Sequence, residues 1–193
     1  VAFATIPMIR QHTDHGAERA YASARTTDRM VDADDLAAFD WLATQPAAWE
    51  GLTAGDPADG YSWMYAYNGV PTLNRHYLWP NGGRGTNTDI MYWNADFIGE
   101  GEHNPVDEAV DNLDIKFFLL SPGAFWNYQY PPYEMLRDFW VSEGVTPVYR
   151  KGDTAVFAVN SQFSEAELEE MIADGKEHGS DELFALAEVG ATQ

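Results

Sequence analysis

Asp56 and Asp59 stand three positions apart in the turn Asp56-Pro57-Ala58-Asp59-Gly60, and their types could do chemistry. Two carboxylates can serve as acid and base in glycoside hydrolysis. They can also hold Ca²⁺ with Asp89 or a backbone carbonyl, although the loop lacks the EF-hand pattern. Both are ordinary turn formers as well. The residues favour sugar or structural hydrogen bonding over a cation, and a cation over catalysis. His76, between Arg75 and Tyr77, has the type of a general base, but a loop histidine satisfied by hydrogen bonds is the commoner case. Gly60-Tyr61-Ser62-Trp63-Met64 lacks the second glycine of a serine nucleophile elbow. Gly82-Gly83-Arg84-Gly85 lacks the Lys-Ser/Thr ending of a phosphate loop. His12 and His15 have metal-ligand spacing without a third ligand nearby, and read as an exposed polar face.

Aromatic residues gather around these positions, with nine in residues 61–97 and nine in 117–140. Trp63, Tyr77, Trp79, Trp126 and Tyr128 lie in or beside polar loops. A flat ring beside Asp, Asn and Arg suits a sugar: the ring stacks on the C–H face while carboxylates and amides bind hydroxyls. The competing assignment, a second apolar layer beneath the loops, carries somewhat more weight for the set as a whole. The candidate glycan-binding residues are Asp56, Asp59, Trp63, Asn74, Arg75, His76, Trp79 and Trp126. No catalytic or metal-ligating residue is assigned, and no cofactor beyond a conceivable Ca²⁺.

These side chains need elements to position them. Gly51–Gly55 is a short strand candidate, Tyr61–Asn68 suits two helical turns, and Gly69 is a left-handed stop. Pro71–Asn74 reads as a second strand, parallel to the first through a right-handed crossover. Ile115–Leu120 is a continuous apolar run, as in a central buried strand. The loops after these three strands (56–60, 75–88 and 121–132) would converge beyond the strand C-termini, the usual ligand site of an open α/β sheet. Asp32 caps a helix carrying Leu36, Phe39, Leu42 and Ala43, which Pro46 ends; Trp41 and Trp49 are assigned to packing. Further helices are expected at Asp89–Phe97, after the cap Asn104-Pro105, and around Tyr133–Ser142. Residues 145–159 read as a β-hairpin, with Pro147 favouring an edge strand. Ser164 and Glu167 form a capping box before an acidic end, with nine acids and one lysine from Ser164 onward. The predicted fold is a three-layer α/β, Rossmann-like domain. Its sheet is expected to be mixed but mostly parallel, with a C-terminal hairpin and acidic C-terminal helices. Residues 1–31 are a lead-in segment, 32–160 the α/β domain, and 161–193 an acidic helical tail packed on or trailing it.

The formal charge is −20 over 193 residues. Such a surface repels phosphate backbones and anionic headgroups, so nucleic acid is not an expected partner. With no cysteine, disulfides, thiol catalysis and zinc–thiolate sites are excluded. No apolar run approaches the ~18 residues of a membrane span. The chain opens at Val1 in what reads as a helix, and the expectation is a piece of a longer protein.

The run Asp56-Pro57-Ala58-Asp59-Gly60-Tyr61-Ser62-Trp63-Met64-Tyr65-Ala66, then Gly69-Val70-Pro71 and Asn74-Arg75-His76, resembles a segment of large actinobacterial polytopic membrane proteins. Those proteins are similar to GT-C glycosyltransferases and are linked to cell-envelope glycan assembly. The likeness continues through Ile115–Leu120 with Ser121-Pro122-Gly123, and through the hairpin Val148–Phe157. It covers about Asp32 to Val159. Tyr61 departs from the Ser or Ala usual at its position, and the acidic end after Ser164 is outside the pattern. The resemblance implies an extracytoplasmic domain of a membrane protein, with a cell-envelope polysaccharide or glycolipid and its own transmembrane region as partners. The catalytic carboxylate of GT-C enzymes lies on a membrane-proximal loop that this chain lacks. The implied role is therefore accessory: binding or guiding a glycan. A secreted glycoside hydrolase using Asp56 and Asp59, or a purely structural or protein-interaction domain, are the alternatives.

Overall fold

The computed structural model describes residues 31–57, 60–76, 83–121, 139–140 and 142–180. Among the described residues are six α-helices and a four-stranded sheet. Helix α1 (Ala33–Thr44) starts at a capping box built from two aspartates. The Asp32 carboxylate accepts from the N–H groups of Asp34 and Asp35, and the Asp35 carboxylate accepts from Asp32 N–H. Helix α2 (Ala47–Glu50) follows Pro46 and leads into strand β1 (Leu52–Ala54). A 3₁₀ turn (Tyr61–Trp63) continues into helix α3 (Met64–Asn68), bounded by Gly60 and Gly69, both left-handed. Gly69 thus ends this helix as its type requires. Helix α4 (Asn87–Trp93) and a 3₁₀ turn (Ala95–Phe97) replace the single helix expected over 89–97. Helix α5 (Pro105–Asn112) carries the expected Asn104 cap and leads to strand β2 (Ile115–Leu120). Strands β3 (Val145–Lys151) and β4 (Thr154–Val159) form the hairpin, and helix α6 (Glu165–His178) closes the described chain.

The strand order is β1-β2-β4-β3. Only β1 and β2 pair as parallel strands; β2–β4 and β4–β3 are antiparallel. This corrects the mostly parallel, Rossmann-like sheet expected from sequence. The hairpin lays β4 against the open side of β2, where a doubly wound fold would add another parallel strand. β3 is left at the edge with Pro147 in it, so the missing N–H does little harm. The expected second strand, Pro71–Asn74, is also corrected. It is a single parallel bridge, Thr72 to Thr53, held by Thr53 N–H on Pro71 O and Leu73 N–H on Thr53 O. Beyond it the Asn74 N–H turns to the Tyr61 hydroxyl instead of a strand partner.

Successive β4 residues alternate between two apolar clusters, which places the clusters on opposite faces. One holds Ala155, Phe157 and Val159 with Met91 and Tyr92 of α4, Val106 and Val110 of α5, and Phe139. The other holds Val156 and Ala158 with Phe39 and Leu42 of α1, Tyr61, Met64 and Met171 of α6. The lead-in segment, the helix expected near 133–142 except for its end, and the chain after 180 lie outside the described residues, as do His12 and His15.

Candidate functional site

The parallel geometry of β1, β2 and the Thr72 bridge sends three chain exits to one end of the sheet. Two tyrosines tie the first two exits together. Asn74 N–H donates to the Tyr61 hydroxyl at 3.1 Å, and Tyr61 and Tyr92 hydroxyls lie 3.3 Å apart. The Tyr92 hydroxyl donates to Gly55 O at 2.8 Å and lies 3.4 Å from the Asn74 side-chain oxygen. Both rings are buried. This is a connected polar chain inside an apolar surround, an arrangement that fixes geometry strongly when its members are satisfied. Gly55 is required here, because a Cβ on it would strike the Leu119 carbonyl and the Tyr61 ring. Neither tyrosine was among the sequence candidates. In sequence they read only as two more aromatics, since their pairing spans 31 residues.

The same 3₁₀–α3 unit that buries Tyr61, Ser62 and Met64 turns three rings outward: Trp63 (49% exposed), Tyr65 (41%) and Tyr67 (51%). The unit is held against α1. Asn68 Nδ2 donates to Phe39 O at 2.7 Å, and the Tyr67 hydroxyl reaches Asp40 at 3.4 Å. The negative charge of Asp40 raises the Tyr67 phenol above its ordinary value, so the hydroxyl stays a donor. The Arg75 guanidinium lies over the Tyr65 ring, 4.2 Å from its centroid. Trp49, assigned from sequence to packing, is instead half-exposed beside Gly69, with its indole N–H on Ala43 O. Trp41 is buried as expected.

The candidates divide as follows. Trp63, Arg75 and His76 are exposed next to the strand exits. Asn74 and Asp56 are there too, but buried. Asn74 Nδ2 has no hydrogen-bond partner among the described residues, which leaves a donor beneath this surface. Asp59, Trp79 and Trp126 lie outside the described residues. Asp89, the third carboxylate considered for Ca²⁺, accepts from Gly85 N–H at 2.9 Å in the first turn of α4. Among the described residues no group of three His, Cys, Asp or Glu is placed to hold a metal ion.

Asp35, an acid in the first turn of α1, is not among the sequence candidates. It is buried where β2 ends and β4 begins, accepting from the Thr154 hydroxyl at 2.8 Å and hydrogen-bonded to Ser121. Burial pushes its carboxyl above the usual carboxylate range, against the hydrogen bonds from Asp32, Thr154 and Ser121. The third exit, at Ser121, is thus tied to α1.

Comparison of the chain with curated proteins and with solved structures returns no match. A family match does exist, and it spans the rim, both central strands and the hairpin. Over residues 1–161 the chain matches the family described as "Family of unknown function (DUF6541)", and it belongs to that family.

Proposed function

We propose that this chain is a soluble extracytoplasmic accessory domain of a membrane glycosyltransferase-like protein, and that its strand-exit rim binds or guides a cell-envelope glycan. The observation that carries the reading is that Trp63, Tyr65 and Tyr67 are all left exposed on a short helical unit whose start is pinned at the strand exits and whose end is pinned on α1. Large rings left open on a rigid support are what a stacking surface needs, because little side-chain freedom is lost on binding. Exposed Arg75, over the Tyr65 ring, and exposed His76 next to it in sequence supply polar groups. The resemblance of residues 56–76 to the segment in envelope-assembly membrane proteins supplies the setting. Among the described residues no helix is long and apolar enough to cross a membrane. In this reading the spans belong to other parts of the parent protein.

Titration calorimetry of the chain against neutral and acidic envelope polysaccharide fragments tests the reading. Trp63→Ala should weaken binding about tenfold, equivalent to about 1.4 kcal/mol. Trp93→Ala, which removes an equally exposed ring (52%) on α4, should leave binding unchanged. No binding to any fragment, or equal losses in the two variants, sinks the reading.

A further inference from the structure

Among the described residues, Arg75 is a cation set at the rim beside an exposed ring, and it bears on what kind of glycan the rim takes. Arg75 holds its guanidinium carbon over the Tyr65 ring, and among the described residues it has no hydrogen bond or carboxylate partner. Lys116, by contrast, is spent on Asp114 at 3.0 Å and Gln162 at 2.6 Å. Arg150 also faces a ring, that of Trp140 at 5.7 Å, but its Nε donates to Gly152 O. A guanidinium seated over a ring with no other partner keeps its N–H donors available, and such a fork can bind an oxyanion through two parallel hydrogen bonds. The ring also restrains the long side chain, so less freedom is lost when the anion arrives.

The chain's net charge of −20 argues against random attraction of anions. At physiological ionic strength, however, fields of distant exposed charges are screened beyond about 8 Å, so the local cation decides. Of the acids on this part of the chain, Asp40 accepts from the Tyr67 hydroxyl and Asp56 is buried.

We infer that the rim reads an acidic sugar, with Arg75 clamping its carboxylate or phosphoryl oxygens while Trp63 stacks on the adjoining ring. This rests on the glycan-binding reading and narrows it from any polysaccharide to an oxyanion-bearing one. The test uses calorimetry with four probes: an oligogalacturonate, its methyl ester, a hexose 1-phosphate and the free hexose. The acidic member of a pair should bind about tenfold tighter than its uncharged partner. Preference within the first pair assigns a carboxylate, within the second a phosphoryl group, and either supports the inference. Arg75→Gln should abolish the preference, bringing the acidic member down to the affinity of its uncharged partner for the same variant, while leaving the melting temperature unchanged. Arg75→Lys, which keeps the charge without the fork, should restore it only in part. Equal binding of acidic and uncharged partners, or a preference that survives Arg75→Gln, overturns the inference and leaves the glycan reading standing. Absence of binding by all four probes and by the envelope fragments overturns both.

Discussion

Helices α1 and α6 cover the same face of the sheet, yet one is fixed to it by its first turn and the other near its last, and by different means. Both begin with a capping box. In α1 the box is itself the anchor: Asp35 is buried against Thr154 and Ser121, at the end of the sheet from which the rim loops leave. In α6 the box of Ser164 and Glu167 faces solvent, and attachment comes later, where Gly175 lies against the backbone of Val148 and Tyr149. One local motif therefore has two electrostatic outcomes. Burial raises the Asp35 carboxyl, while hydrogen bonds from Ser164 hold the exposed Glu167 carboxyl below its ordinary value. The helices meet at Asp174, whose carboxylate accepts from Trp41 Nε1 at 2.7 Å and Gln45 Nε2 at 2.9 Å. Beside that contact runs an acidic groove of about 530 Å³ lined by Glu50, Glu167 and Glu170 among others. The rim depends on α1, because Phe39 and Asp40 hold the aromatic helix.

The largest expected effect comes from crowding the α6 contact. A Cβ at position 175 would fall within the van der Waals radius of the Val148 carbonyl oxygen, a backbone atom that cannot swing aside. Gly175→Ala should therefore cost about 2–3 kcal/mol, because overpacking outweighs the helix preference of alanine. Urea unfolding measures this as a lower midpoint. The same variant has a local readout at Tyr149. Its phenol is pushed up to about 12 by burial, with the charges of Asp34 and Asp40 adding to the effect. Trp41 stacks on that ring at 5.0 Å. If α6 lifts, one tyrosine should titrate closer to 10 in an ultraviolet pH titration. An unchanged midpoint and titration would mean that α6 is not held by this close approach.

Cutting the α1 anchor should cost somewhat less. Asp35→Ala strands the buried Thr154 hydroxyl and opens the capping box, a loss of about 2 kcal/mol. Asp35→Asn keeps polar contacts but removes the titration, which isolates the pH effect. Because the folded carboxyl is raised, the folded chain binds this proton more tightly than the unfolded chain does. The favourable contribution is complete below the ordinary value of 3.8 and is lost as pH rises through the higher folded value. Wild type should thus gain stability relative to Asp35→Asn as pH falls from neutrality through that window. A gap between the two urea midpoints that stays flat with pH would remove the electrostatic half of the comparison.

The two anchors also differ in how far the sequence announces them. Ser164 and Glu167 are legible as a capping box because the motif is local and polar. Asp35 is legible only as a helix-start acid; its tie to Thr154 spans 119 residues. The same contrast holds elsewhere. Asn104-Pro105, the run Ile115–Leu120, the glycine stop at 69 and the hairpin were all readable, since each depends on neighbours in the chain. The strand expected at Pro71–Asn74 shrank to one bridge because Tyr61 captured the Asn74 N–H, a competitor invisible in a local window. The side of the sheet on which the hairpin would dock was equally invisible, and that choice made the sheet mixed. Of the rim, the exposed candidates Trp63, Arg75 and His76 were legible as types beside a strand exit. The buried pair Tyr61 and Tyr92, which holds the exits together, was not.

The smallest effect belongs to the solvent-facing box, and its sign is the sharpest test of the comparison. Ser164→Ala removes the acceptor for Glu167 N–H and the hydroxyl donated to Glu167, and should cost about 1 kcal/mol, as an exposed cap usually does. The lowered carboxyl of Glu167 makes its contribution present above the ordinary value of 4.5 and lost as pH falls through the folded value, the reverse of Asp35. Wild type should therefore lose its advantage over Glu167→Gln on acidification, whereas it gains on Asp35→Asn. Salt should weaken the carboxylate's part of this effect, because Glu167 is exposed, and should barely alter the buried Asp35 contact. If both differences move the same way with pH, burial is not what separates the two boxes, and the anchoring role given to Asp35 at the rim end of the sheet loses its basis.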